Sequence, residues 1–202
     1  MKQPWLKPGV FLGCLSPAAI IAVQGARGAL GANGIERALN QLGLLALTFL
    51  VASLTPTPLK SLFNLTWPTR LRRMIGLFAF FYATLHFLTY SLLDQGGSLK
   101  AIWADVTRRP FITVGFAALL LLTPLAITST DAMVRRLGFV RWKRLHRAAY
   151  VAAGLAILHF LLRVKADFSR PILYGSILGF LFGVRIFDAL RKRKPQRPRP
   201  AT

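Results

Sequence analysis

The chain alternates between long apolar stretches without charge and short segments rich in arginine and lysine. A helix rises about 1.5 Å per residue, so roughly 20 apolar residues cross a hydrocarbon core of about 30 Å. Four stretches reach this length, and two shorter ones reach it if the arginines at their ends extend toward the lipid headgroups. In chain order the six stretches are 8–26, 38–59, 74–93, 110–130, 148–162 and 171–184. The pattern predicts an all-α membrane protein, a bundle of six transmembrane helices.

The distribution of arginine and lysine among the connecting segments predicts the orientation of this bundle. An even number of spans places both termini on one side, and 18 of the 27 basic residues fall on that side, against eight on the other. The remaining one, Arg185, lies near the end of the sixth span. Cytoplasmic segments of membrane proteins carry the excess of basic residues, so we expect both termini in the cytoplasm. We assign residues 1–190 to the membrane domain, and residues 191–202 to a basic, disordered cytoplasmic tail that rests on anionic lipid.

The composition excludes several other classes of protein. Hydrophobic residues make up 54% of the chain and charged residues 16%, whereas soluble domains are about a quarter charged. The net charge of +21 is typical of nucleic-acid binders, but here long uncharged stretches separate the basic clusters, so we expect membrane lipid and no nucleic acid as a partner. A single cysteine, Cys14, excludes an internal disulfide and a multi-cysteine metal site. The chain carries no dinucleotide-binding fingerprint, so a nicotinamide cofactor would need a separate polypeptide.

Two of the three histidines lie inside apolar spans at similar depth. His86 is roughly 18 Å beyond the cytoplasmic start of the third span, and His159 is roughly 16 Å beyond that of the fifth. An imidazole in hydrocarbon needs a polar partner, and an interhelical hydrogen bond would satisfy one such group. Two imidazoles at one depth on different helices favour instead an iron held between them, at the centre of a flat, apolar haem.

The third histidine, His146, belongs to the basic segment RWKRLHR at the cytoplasmic end of the fifth span. Two interpretations stay open for it. It is an interfacial cation, or it is the ligand of a second, inner haem that lies roughly 20 Å from His159 along the helix.

Three segments of the chain resemble a known family. They are RRMIGLFAFFYATLHFLTY (72–90), ITSTDAMVRRLG (127–138) and RWKRLHRAAYVAAGLAILHF (141–160). All three closely resemble the MsrQ family, formerly YedZ, the haem-binding membrane subunits of the bacterial MsrPQ methionine sulfoxide reductase systems. The likeness extends over nearly the whole chain. This family belongs to a wider ferric-reductase-like transmembrane group.

The resemblance implies a function in electron transport. It implies a multi-pass cytochrome b of the bacterial inner membrane, a non-catalytic subunit with one or two b-type haems. Its electron donor would be a cytoplasmic flavin reductase or the quinone pool. Its acceptor would be MsrP, a periplasmic molybdopterin enzyme that reduces methionine sulfoxide in oxidised envelope proteins. FMN is a further cofactor that the resemblance implies.

The resemblance also assigns residues. His86, in LHFLTY, and His159, in ILHF, match the haem histidines of the family, and His146, in RLHR, matches a third. The wider group has two histidines on the third span, about one haem layer apart, where this chain has Arg72 and Arg73. We expect these arginines to hold a haem propionate or an FMN phosphate by charge-assisted hydrogen bonds. We expect one haem between His86 and His159, and the sequence leaves a second at His146 open.

Two other functions remain as alternatives at this point. One is a stand-alone transmembrane reductase that passes electrons directly to extracellular Fe(III) or Cu(II). The other is a haem-free membrane protein, such as a small transporter or assembly factor, in which the histidines only form hydrogen bonds.

Overall fold

The computed structural model describes residues 5–193, and within them all regular structure is helical. Six helical stretches are long and apolar enough to cross a membrane, which confirms the predicted class and number of spans. The helices are α1 (Leu6–Ala26), α2 (Gly34–Leu54), α3 (Pro56–Phe63), α4 (Arg72–Leu88), α5 (Leu99–Arg108), α6 (Pro110–Ile127), α7 (Asp131–Leu137), α8 (Phe139–Leu145), α9 (Ala148–Arg163) and α10 (Ser169–Arg193). A 3₁₀ turn, Trp67–Arg70, precedes α4, and a π-helical turn, Thr89–Asp94, extends it.

The second predicted span, 38–59, is divided between two helices. The break falls at Thr55, directly before Pro56. Proline has no backbone N–H, so the carbonyl of Ala52 cannot receive the next bond of the helical ladder. It accepts instead from the backbone N–H and the hydroxyl of Thr55, at 3.2 and 2.8 Å. The chain therefore turns into α3 at the proline.

The last helix is longer than the sequence predicts. The predicted span ends at residue 184, whereas α10 continues to Arg193 and contains Arg185 in its interior. The Arg185 guanidinium donates to the hydroxyl of Tyr150 and to the carbonyl of Leu54, and it lies 4.8 Å from the centre of the Tyr150 ring. Because these partners bind both terminal nitrogens of the guanidinium inside the bundle, the arginine does not end the helix. Residues 194–202 of the predicted tail lie outside the described residues.

Three short helices in the connecting segments, α5, α7 and α8, are absent from the sequence prediction. Each has ten residues or fewer, too short to cross a bilayer. Helix α5 begins after Ser98, whose hydroxyl accepts from the backbone N–H of Ala101 at 3.3 Å, and it exposes Leu99 and Trp103. Helix α7 begins after Thr130, whose hydroxyl accepts from the N–H of Met133 at 3.2 Å. Local capping of this kind starts a helix without a long hydrophobic pattern.

Small side chains allow helices of the bundle to approach each other closely. Ala79 on α4 and Ala152 and Ala153 on α9 are fully buried, in one apolar cluster with residues of α2, α6 and α10. Large apolar side chains such as Phe180 and Phe187 face outward. Small residues at helix contacts and large ones on the outer surface are the arrangement of a membrane bundle, where lipid covers the outside.

Helix α1 is attached to the bundle at a proline. Pro17 interrupts the helical ladder, and the hydroxyl of Tyr82, a fully buried residue of α4, bonds there. This hydroxyl donates to the carbonyl of Cys14 at 2.7 Å and accepts from the N–H of Ala18 at 3.1 Å. One side chain thus binds two backbone groups of α1 beside the proline and joins α1 to α4.

This attachment makes Cys14 a reporter for α1. We expect Tyr82→Phe to loosen α1, because it removes both hydrogen bonds, each of which contributes about 0.5–1.5 kcal/mol. Maleimide labelling of Cys14, which is buried at 7% exposure, should become faster. Tyr174→Phe is the matched control, since Tyr174 bonds to Thr48 at 2.6 Å and does not touch this part of α1. Equal labelling rates in wild type and Tyr82→Phe would contradict the attachment.

Candidate cofactor site at the paired histidines

The structure brings His86 and His159 together, from α4 and α9. Their ring centroids are 6.2 Å apart and their planes are inclined at 80°. Both rings are partly buried. The equal depth expected from helix rise is therefore present in the fold.

A backbone carbonyl orients each of the two rings. The Nδ1 atom of His86 lies 2.9 Å from the carbonyl oxygen of Leu39, near the start of α2. The Nδ1 atom of His159 lies 2.6 Å from the carbonyl oxygen of Phe111, at the start of α6. A carbonyl only accepts hydrogen bonds, so each Nδ1 carries the proton and donates it. Each Nε2 then keeps its lone pair, which is the form of imidazole that binds a metal.

Two glycines make room for these rings. A Cβ at Gly115 on α6 would lie 2.7 Å from Nδ1 of His159, and a Cβ at Gly43 on α2 would lie 3.2 Å from Nδ1 of His86. The first distance is too short for any side chain, and the second is tight. Sequence reasoning missed both residues, although a glycine inside an apolar helix is a recognised signal of close approach.

The carbonyl that holds His159 is itself held in place. Asp105 on α5 accepts from the Tyr90 hydroxyl at 3.0 Å and pairs with Arg109 at 3.2 Å. Arg109 and Pro110 directly precede Phe111, so these bonds position the first turn of α6. The π-helical turn that carries Tyr90 and the short helix α5 thus both support the site at the end of the bundle where α6 begins.

Two buried side-chain oxygens on α2 and α4 have no hydrogen-bond partner among the residues described. They are Oε1 of Gln41, which lies between Leu39 and Gly43 in the chain, and Oγ1 of Thr84, two residues before His86. Buried polar atoms are rarely left without a partner. These two oxygens are unpaired polar groups of α2 and α4, the two helices that hold His86.

His146 lies apart from this pair, near the opposite ends of the helices. Its ring stacks on Trp142 with centroids 3.9 Å apart, and its Nδ1 is 3.1 Å from the Trp142 carbonyl. Its Nε2 is 3.4 Å from the hydroxyl of Ser129. Each nitrogen therefore has a protein neighbour. Since the chain has three histidines, no further imidazole is available to face His146.

The structure separates the two arginines that the sequence treats alike. Arg73 forms an ion pair with Asp131 at 2.5 Å, whereas Arg72 is half-buried and has no hydrogen bond or ion pair within the described chain. The hydrogen bond and positive charge of Arg73 lower the pKa of the exposed Asp131 carboxyl below its ordinary value of 3.8. Arg72 is therefore the arginine that is free to bind an anion. Within residues 5–193 no three His, Cys, Asp or Glu side chains form a metal-binding group.

Comparison with known proteins agrees with the sequence resemblance. Residues 38–157 match the family described as ferric reductase like transmembrane component. A protein of Rhodospirillum rubrum is 53% identical over 188 residues, which are 93% of this chain and 90% of the relative. A protein of Deinococcus radiodurans is 49% identical over 193 residues, 96% of this chain and 95% of the relative. Both relatives bear the name "Protein-methionine-sulfoxide reductase heme-binding subunit MsrQ".

The ion pair of Arg73 predicts a pH effect at Asp131. A lowered pKa means that the pair favours the folded state above the ordinary aspartate pKa and loses this effect as the pH falls through the lowered value. We expect Arg73→Gln to raise the Asp131 pKa toward 3.8, as measured by NMR titration of ¹³C-labelled aspartate. Arg141→Gln, a change of equal charge at an exposed residue, should leave this pKa in place. The same shift in both variants would show that net charge, and not the pair, lowers it.

Proposed function

We propose that this chain, which belongs to the ferric-reductase-like transmembrane family and to the MsrQ subunits within it, passes electrons through a b-type haem to a methionine sulfoxide reductase. The family establishes a multi-pass membrane haem protein of electron transport. The finer parts of the proposal are the haem ligands, the electron donor, the periplasmic acceptor MsrP and the bacterial inner membrane as location. The observation that carries it is the pair His86 and His159, whose rings lie 6.2 Å apart on separate helices.

The residues present fit a haem. An imidazole nitrogen binds a first-row metal ion at about 2 Å, so two imidazoles on one iron have ring centroids about 6 Å apart. The observed separation is 6.2 Å. When bound, a haem supplies reversible one-electron transfer at a potential that its surroundings set.

The protein's own contribution is to orient the two imidazole rings and to set the basicity of their Nε2 atoms. The carbonyls of Leu39 and Phe111 hold the two rings in one tautomer, and hydrogen bonds at Nδ1 increase the basicity of Nε2. Apolar residues of the same helices, such as Leu85 and Ile157, belong to the neighbouring apolar clusters of the bundle. No side chain in this arrangement has to make or break a substrate bond, which agrees with a carrier rather than a catalytic subunit.

The position of the pair supports a periplasmic exit for electrons. His86 and His159 lie toward the end of the bundle where α2 and α6 begin and α9 ends. With both termini in the cytoplasm, as the basic residues predict, this is the periplasmic end. Electrons would enter from a cytoplasmic flavin reductase or from the quinone pool and leave here to MsrP.

A second anionic cofactor would bind at the opposite end. Arg72 has no hydrogen bond or ion pair there within the described chain, and its positive charge acts on the nearby His146. We place an FMN phosphate or the propionate of a second haem at Arg72. Because Arg73 is paired with Asp131, we assign it no ligand. Protein atoms lie beside both ring nitrogens of His146. We therefore rank it below His86 and His159 as an iron ligand.

Replacement of the paired histidines should remove the haem. We expect His86→Ala and His159→Ala to abolish the reduced-minus-oxidised b-type spectrum of the purified protein, because each would remove one of the two side chains that hold the iron. His146→Ala should keep the haem between the other two. Haem is quantified per chain in all three variants. A full low-spin haem in His86→Ala would disprove the pairing.

The direction of electron transfer needs a separate experiment. The reduced protein is mixed with purified MsrP under anaerobic conditions, with and without methionine sulfoxide. We expect rapid reoxidation of the haem only when both are present. Equally fast reoxidation by Fe(III) or Cu(II) alone would favour the stand-alone reductase instead.

The two glycines should differ in their tolerance of a methyl group. Gly115→Ala places a Cβ 2.7 Å from the His159 ring, so that ring has to move and we expect most of the haem to be lost. Gly43→Ala, with 3.2 Å to the His86 ring, should lose only part of it. Gly154→Ala on α9 is the control, because nothing lies within 4 Å of its Cβ. Haem content per folded chain measures all three, and full occupancy in Gly115→Ala would refute the close contact.

A further inference from the structure

An ion pair lies directly beyond the two histidines, at the end of the bundle nearest to them. Arg163 is four residues after His159 on α9, which places it on the same face one turn further along. Glu36 is three residues before Leu39, whose carbonyl holds His86. Nη2 of Arg163 lies 3.5 Å from Oε1 of Glu36. The pair therefore connects α9, which carries His159, to α2, which carries the Leu39 carbonyl that holds His86.

This ion pair is loose. Its separation of 3.5 Å exceeds the roughly 2.7–2.9 Å of a charge-assisted hydrogen bond. The other oxygen of Glu36 accepts a short bond of 2.6 Å from Asn33, so the carboxylate is held mainly from its own helix start. A guanidinium has five N–H donors, and this ion pair is the polar contact that the structure describes for Arg163. Most of its donors remain available.

The charge of Arg163 also reaches the site. Among the side chains described, it is the cation within electrostatic range of both His86 and His159. A haem is apolar except for its two propionate carboxylates. These need a cation at the edge of the apolar site, and Arg163 stands at that edge, 35% exposed in its side chain.

We propose that Arg163 binds a propionate carboxylate of the haem between His86 and His159, and that Glu36 competes for the same guanidinium. This inference rests on the proposed function and adds a positioning residue to it. Two effects follow. Removal of Arg163 weakens haem retention and lowers the midpoint potential, because a nearby positive charge favours the reduced iron. Removal of Glu36 acts in the opposite direction on both.

The test uses haem and haem dimethyl ester, in which both carboxylates are blocked. The full chain is produced as apoprotein in a haem-deficient host and titrated with each compound by absorption spectroscopy. We expect Arg163→Gln to bind haem on the order of tenfold more weakly than wild type and the ester equally well. Lys165→Gln is the matched control, since Lys165 is exposed two residues further on and should behave as wild type.

Each outcome supports or overturns the proposal. If Arg163→Gln weakens the binding of haem and of the ester equally, or changes the binding of neither, Arg163 has only a structural role. Either result overturns the proposal. If Arg163→Gln fails to fold, Glu36→Gln replaces it as the test. This variant should bind haem at least as tightly as wild type, with a raised midpoint potential, and the opposite result overturns the proposal. If the wild-type protein binds neither haem nor the ester, the proposed function itself is refuted. This result differs from the Arg163→Gln and Glu36→Gln outcomes, in which the wild-type protein binds haem.

Discussion

Polar groups inside a membrane bundle must find their partners within the protein, because hydrocarbon offers none. The two Nδ1–carbonyl hydrogen bonds at His86 and His159 meet this requirement at the site. They tie α4 to α2 and α9 to α6, so the bonds that orient the rings also fix neighbouring helices against each other. The arrangement of four helices around the pair follows from this constraint, and so does the free lone pair on each Nε2.

The same constraint explains the other long-range contacts of the bundle. Tyr82 satisfies the backbone of α1 where Pro17 interrupts it, and Arg185 donates to Tyr150 and Leu54 across three helices. In each case one polar side chain inside the apolar interior connects elements that apolar contact alone would leave free to slide. Membrane helices gain little from burial of apolar surface, so these bonds define the register of the bundle.

The two ends of the bundle have different chemistry. At the end nearest to the paired histidines, acidic side chains offset part of the basic charge, as in the pairs of Asp105 with Arg109 and Glu36 with Arg163. At the other end, Arg72 stands without a partner in the described chain while Arg73 pairs with Asp131. Such a difference allows two partners at opposite ends of the bundle to be recognised separately.

The sequence by itself determined the number of spans and the matched depth of His86 and His159, because apolar length and helix rise depend on the chain alone. It did not predict the break before Pro56, the continuation of α10 past Arg185, or the short capped helices α5, α7 and α8. Nor did it identify Gly43, Gly115, Asp105 or the Glu36–Arg163 pair as parts of the site. Each of these depends on which helices lie side by side and on their rotation about their axes. Only the tertiary structure decides that, because a residue's partners across a helix contact are set by packing and not by its neighbours in the chain.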